Sequence, residues 1–195
     1  MLKQIMRPIY RIYKNHCNKI LRGRFKACCD DLRFHPDTSN FTYNTISLGK
    51  NVFINERAYF SGEITVGNNV LFGPDVFITS GDHDYTVVGQ LIGEQKRIAG
   101  RRVIIDDDCW IGAKVFINKG VHIYEGAIIG GASVVTKNIP PYTLCLGTPC
   151  KPIKLRYSDD ELRKHFKILN RSQEEAEEMI IMRCSMLKEK GLENL

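Results

Sequence analysis

Counting from Leu48 in steps of six, the chain meets Leu48, Ile54, Phe60, Val66, Phe72 and Ile78, all apolar. The residue after each is Gly49, Asn55, Ser61, Gly67, Gly73 or Thr79, small or turn-forming. Four after each start stand Val52, Ala58, Ile64, Val70 and Val76, until Asp82 breaks the series. A second run proceeds from Ala99 through Ile105, Ile111, Ile117, Ile123, Ile129 and Val135. Its fourth-after positions are Val103, Cys109, Val115, Val121, Ala127, Ser133 and Ile139. The two runs are three residues out of phase, so residues 83–98 must leave the repeat as a loop and return.

A period of six excludes the simpler elements, because a helix repeats near 3.6 residues and a half-buried strand at 2. Six residues suit a short strand followed by a tight corner. Three such units close a triangular coil of ~18 residues, and successive coils pair as parallel strands ~4.8 Å apart. The expected fold is mainly β: a parallel β-helix of hexapeptide repeats whose apolar side chains stack in columns inside a prism.

Three regions follow: a basic helical segment at 1–41, the β-helix at 42–156 with its 83–98 loop, and C-terminal helices at 157–195. Residues 2–28 read as one or two helices, ended by Pro36 and the 37–40 segment. Ser158 with Glu161, and Ser172 with Glu175, make capping boxes that open helices over 159–169 and 173–189. Ala176, Ile180, Cys184 and Leu187 form the apolar stripe of the second, and Gly191 stops it.

At 195 residues, 43% of them hydrophobic, the chain has enough material for one core. No apolar run reaches the ~18 residues of a membrane span. Arg7, Arg11 and Lys14 interrupt the N-terminal stretch that a signal peptide needs, so a cytoplasmic protein is expected. The seven cysteines are odd in number and lack zinc-ribbon spacing, which reads as reduced thiols, with Cys109 at a core position. The net charge is +6, and residues 1–29 carry eight lysines and arginines without an acid. Two readings stand: a face for anionic lipid, giving weak peripheral membrane contact, or for a phosphate-bearing substrate; or a solvated helix surface. No nucleic-acid-binding motif is present.

The hexapeptide runs, SGDHDY at 80–85, CWIGAKVFINKGVHI at 109–123 and GGASVVTKNIPPYTLCLGTPCK at 130–151 resemble the maltose/galactoside O-acetyltransferase group of hexapeptide-repeat enzymes. The likeness covers roughly residues 42–156. It implies a left-handed coil, which periodicity alone would not give, since parallel crossovers are usually right-handed. It also implies acetyl-CoA as co-substrate, no metal, and a homotrimer with active sites between subunits. A convex prism has no deep pocket of its own, and a cleft between two prisms supplies one.

Acetyl transfer to a hydroxyl needs a base near neutral pH, which an imidazole provides, and an N–H donor for the oxyanion. His83 stands where the coil breaks into the loop and matches the family's catalytic histidine. His16, His35 and His165 lie outside the repeat, and His122 points outward in a structural position. Asn55 matches a site-orienting residue, although a corner asparagine in left-handed backbone explains it equally. On the acceptor side the resemblance implies an acid, for which Glu63 is the nearest candidate, and Asp84 and Tyr85, beside His83, are the other substrate-binding candidates. The Ser61–Gly62–Glu63 segment is shorter than in the sugar enzymes, and Asp84 replaces a frequent proline, so the acceptor stays open.

For the CoA side the resemblance carries over Trp110, Gly112 and Ala113 to the pantetheine arm, with Gly131, Thr136 and Lys137 as further contacts. Lys151 and Lys154 fall near the nucleotide phosphates. Lysine in place of the family's arginine keeps the charge and loses the bidentate fork. A solvated edge is the competing account of these two lysines.

The resulting expectation is an O-acetyltransferase for a sugar hydroxyl, serving surface-polysaccharide assembly, with a small-molecule or glycan acceptor and no nucleic acid. Serine, a drug or an amino-sugar are other acceptors of the same class. A zinc lyase on the same fold needs three converging histidines, and only His83 and His122 lie in or beside the coils. A non-catalytic scaffold has no need of His83, Trp110 and the GTPCK segment.

Overall fold

The computed structural model describes residues 19–195. Its centre is a left-handed parallel β-helix with three faces, each named here by one outward residue. The Phe77 face stacks Asn40–Phe41, Tyr59–Ser61, Phe77–Thr79, Phe116–Ile117 and Val134–Val135. The Ile104 face stacks Ile46–Leu48, Ile64–Val66, Val103–Ile105 and His122–Ile123. The Trp110 face stacks Phe53–Ile54, Leu71–Phe72, Trp110–Ile111, Ile128–Ile129 and Thr143–Gly147, and ends on the antiparallel strand Cys150–Leu155.

Residues stacked on neighbouring coils are 18 apart, as in the Asn51–Asn69 and Arg57–Asp75 side-chain pairs. Across the loop they are 39 apart, as Asn68 and Asp107 are, so the excursion adds 21 residues. Registration resumes without slip: Ile64 pairs with Val103, Leu71 with Trp110 and Phe77 with Phe116.

The repeat positions fill the prism. Ile54, Ile78, Ile111, Ile117 and Ile123 are fully buried, as are Val52, Val70, Val76, Val103 and Val115. The buried hydroxyl of Ser133 is satisfied, donating to Gly130 O at 2.6 Å and accepting the Gly147 N–H at 3.1 Å. Corners turn through single left-handed residues such as Asn51, Asn69, Asp75 and Asp108, types that tolerate this backbone better than most. A Cβ on Gly73 would stand 2.6 Å from the Ala113 amide nitrogen, which is why a glycine sits at that corner.

The structure departs from the sequence expectations in four places. Most of the expected 2–28 helix lies outside the described residues; helical backbone spans 19–22 and ends there. The prism begins before residue 42: Ala27 bridges to Ser47 and Arg33 to Phe53, while Phe25, Leu32, Phe34 and Phe41 are buried in the core. Ala99 is exposed, and the second run joins the prism only at Val103, because residues 97–98 are still paired with the outgoing strand Asp82–His83.

The fourth concerns the C-terminal helices, Asp159–Ile168 and Gln173–Lys188, each opened by its expected serine capping box. Ala176, Ile180 and Leu187 are buried, but Cys184 is exposed and Arg183 takes its place at 1% exposure. The second helix is rotated so that Arg183 reaches the first, donating to Tyr157 O at 2.9 Å and to Asp159 Oδ1 at 2.5 Å. Leu162, Phe166, Ala176 and Ile180 pack around Tyr142 and fasten both helices to the coil end. Among the described residues no helix is long and apolar enough to cross a membrane.

Candidate active site

The chain leaves the prism after the strand Phe77–Thr79, and Asp82–His83 pairs antiparallel with Arg97–Ile98 to form the base of the loop. This puts His83 on the edge between the Phe77 and Ile104 faces. It lines an open cleft of about 300 Å³ with Tyr59, Ser61, Thr79, Asp82 and Arg97. The Asp82 carboxyl is held below the usual range, first by its hydrogen bond from Lys119 and then by the His83 amide.

The three acceptor-side residues do not line this cleft. Glu63 lies on the same edge and pairs with Arg102 at 3.5 Å, while its amide donates to Ser80 Oγ at 2.7 Å. The Asp84 carboxylate serves the loop itself, accepting the Thr86 hydroxyl at 2.7 Å and amide at 2.9 Å, which lowers its pKa. Tyr85 is exposed on the loop.

At the C-terminal end of the prism lies a second cavity of about 570 Å³, lined by Thr136 and Lys137 after the last Phe77-face strand, by Cys150 and Lys151 on the final Trp110-face strand and, from the C-terminal segment, by Glu189 and Lys190. Three lysine side chains border one space, a setting suited to a phosphorylated ligand. Lys154 is not among the lining residues; it stands opposite Leu144 on the Trp110 face.

The other predicted residues collect elsewhere. Asn55, Gly112, Ala113 and Gly131 occupy corners between the Trp110 and Phe77 faces. A Cβ on Gly112 would sit 2.7 Å from the Gly131 nitrogen, so the corner backbones are in contact. Asn55 Oδ1 accepts the Glu56 amide at 2.8 Å. Trp110 is 53% exposed, in an outward column with Phe53, Leu71, Ile128 and Leu144. Within one chain the whole Phe77 face separates this set from His83.

Two faces are apolar outside. The Phe77 face carries a stacked ladder, Tyr59 on Phe77 at 4.4 Å and Phe77 on Phe116 at 4.8 Å. The Ile104 face shows Ser47, Thr65, Ile104 and His122, of which His122 bonds Asp106 at 2.8 Å. Sequence reasoning missed Tyr59, Asp82, Arg97, Lys119 and Lys190. Only Asp82 left a signal, as the polar residue that ends the first apolar series.

No family model matches the chain. A galactoside O-acetyltransferase of Lactococcus lactis is 31% identical over 132 residues, 67% of this chain. The chain spans 62% of that relative's length. Among solved structures, a maltose O-acetyltransferase from Clostridium difficile 630 is 33% identical and superposes with a TM-score of 0.66, covering 72% of this chain and 75% of that one. A hexapeptide-repeat acetyltransferase of Vibrio cholerae O1 biovar eltor, complexed with acetyl coenzyme A, is 26% identical with a TM-score of 0.62, covering 74% and 79%.

Proposed function

The chain belongs to the hexapeptide-repeat acetyltransferases of the galactoside and maltose O-acetyltransferase type, and from that premise we propose that it transfers the acetyl group of acetyl-CoA to a sugar hydroxyl. The observation that carries the reading is the placement of His83 in a cleft at the loop base, on a prism whose C-terminal end holds the lysine-bordered cavity.

His83 takes the proton of the acceptor hydroxyl as its oxygen attacks, and returns it to the departing thiolate. Acetyl-CoA supplies the thioester. Lys137, Lys151 and Lys190 hold its phosphates, and Trp110 with the Gly112–Ala113 and Gly131 backbone takes the pantetheine arm.

These residues belong to one site only if two chains build it. We place the Trp110 face of one subunit against the His83 edge of the next, in a homotrimer. Two adjoining apolar faces and one polar face support this: a heterologous contact between unlike faces closes into a ring. Three triangular corners around an axis leave wedges between them, and each wedge is an active site. The exposed loop residues Val88, Leu91 and Ile92, at 99%, 73% and 63%, pack on the neighbour in this arrangement. Surface-polysaccharide assembly is the proposed setting, because the basic segment before residue 29 suits an anionic or membrane-associated substrate.

The test is acceptor-dependent thiol release from acetyl-CoA across simple sugars, nucleotide-sugars, serine and chloramphenicol. Release with a sugar, lost in His83→Ala while CoA binding by calorimetry persists, is expected. Normal turnover in His83→Ala would sink the mechanism, and release with serine alone would reassign the acceptor.

A further inference from the structure

The Asp82 carboxylate has two partners. Oδ1 accepts the His83 amide N–H at 2.9 Å, and Oδ2 accepts Lys119 Nζ at 2.6 Å. Lys119 comes 37 residues later, at the corner after Phe116–Ile117, which is the strand stacked on Phe77–Ile78. Its side chain is 25% exposed and that of Asp82 49%. The backbone from which His83 projects is therefore tied to the rigid coil as well as to the opposite strand at Arg97.

From this geometry we infer that the Lys119–Asp82 pair positions His83, fixing the amide beneath the imidazole and setting the charge around the ring. The inference rests on His83 being the base. An exposed ion pair contributes little to stability, so a purely structural role would be small. Its effect on a neighbouring imidazole is larger, because charge acts directly on the protonation equilibrium.

The charged groups around His83 come from three elements, Asp82 and Arg97 lining its cleft and Lys119 reaching it through the Asp82 carboxylate. Asp82 is on its own strand, Arg97 on the paired strand, and Lys119 on the coil; Asp84 follows in sequence with its carboxylate engaged by Thr86. A carboxylate favours the imidazolium and a cation opposes it. With Lys119 in place the Asp82 charge beside the ring is offset. Without Lys119 only Arg97 opposes the carboxylate, so the variant imidazole is expected to hold its proton to higher pH than the wild type. Neutralising Asp82 leaves Lys119 and Arg97 unopposed, and the proton is lost at lower pH.

The experiment is an NMR titration of the histidine rings in the full chain, with His83 assigned by the signal missing from His83→Asn. Lys119→Met should raise the His83 midpoint by roughly half to one pH unit and Asp82→Asn should lower it by a similar amount. Lys119→Arg should restore the wild-type value, and His122, on its own Asp106 partner, should not move. Turnover in Lys119→Met should fall below pH 7 with the acetyl-CoA KM unchanged, its acid limb moving with the NMR midpoint. Midpoints unmoved in both variants, or moved in the same direction, would overturn the inference. Opposite shifts combined with full turnover in His83→Ala would instead overturn the base assignment and leave the charge coupling intact.

Discussion

Phe77 and Phe116 stack with ring centroids 4.8 Å apart and planes 8° from parallel, although the whole loop lies between them in the chain. Tyr59 extends the stack on the other side at 4.4 Å. Stacked rings on an outward face hold apolar area that water does not favour, and a second copy of the chain would cover it. Phe77→Asp should therefore give a monomer by light scattering, with the circular dichroism of the β-helix retained. A variant that still forms trimers would remove the Phe77 face from the interface.

At Gly73 and Gly112 the corners between the Trp110 and Phe77 faces leave no room for a Cβ. At Gly112 a Cβ would meet the Gly131 nitrogen and the Ile129 oxygen, both at 2.7 Å and both backbone. Neither can rotate away as a side chain would. Gly112→Ala should lose about 1–3 kcal/mol in urea unfolding, whereas alanine at Gly93, where nothing lies within 4 Å, should change little.

The lysine-bordered cavity makes a prediction about phosphate. Lys190→Glu reverses one of its charges and should weaken CoA binding by roughly tenfold, about 1.4 kcal/mol. Added salt should narrow the gap between variant and wild type. Lys151→Ala should weaken CoA with the pH dependence of turnover unchanged, since it stands apart from the His83 cleft. Calorimetry with CoA and with pantetheine separates the two parts of the ligand: pantetheine affinity should be the same in all three proteins.

Arg183 is the largest fully buried side chain among the described residues, held by Asp159 and the Tyr157 carbonyl. Arg183→Ala removes its packing and leaves that carbonyl without its donor. Because Asp159 is half exposed and can be rehydrated, the expected loss is about 3 kcal/mol, at the low end for breaking a buried pair. Cys184→Ala, on the exposed neighbour, should be nearly neutral by thermal unfolding.

How much of the site was legible follows the same division as the fold. His83 stood out because the apolar series stops just before it, and Thr136, Lys137 and Lys151 do line one cavity. Lys190 and Lys119 gave no sign, since each belongs to its site only through folding: one arrives on the C-terminal segment and the other sits 37 residues from the carboxylate it bonds. Asp84 looked like an acceptor contact by its place beside His83, but the loop turns its carboxylate onto Thr86.

The sequence by itself determined the coil and the residues inside it over the two six-residue runs, because a backbone repeating every six residues sends the same position inward at every turn. Tertiary structure alone decided what the outside of the prism does. Which edge carries His83, which faces are apolar and which lysines converge depend on how a loop of 21 extra residues re-enters the stack and on how the terminal helices dock. Those contacts join residues with no fixed spacing, so no period in the chain encodes them.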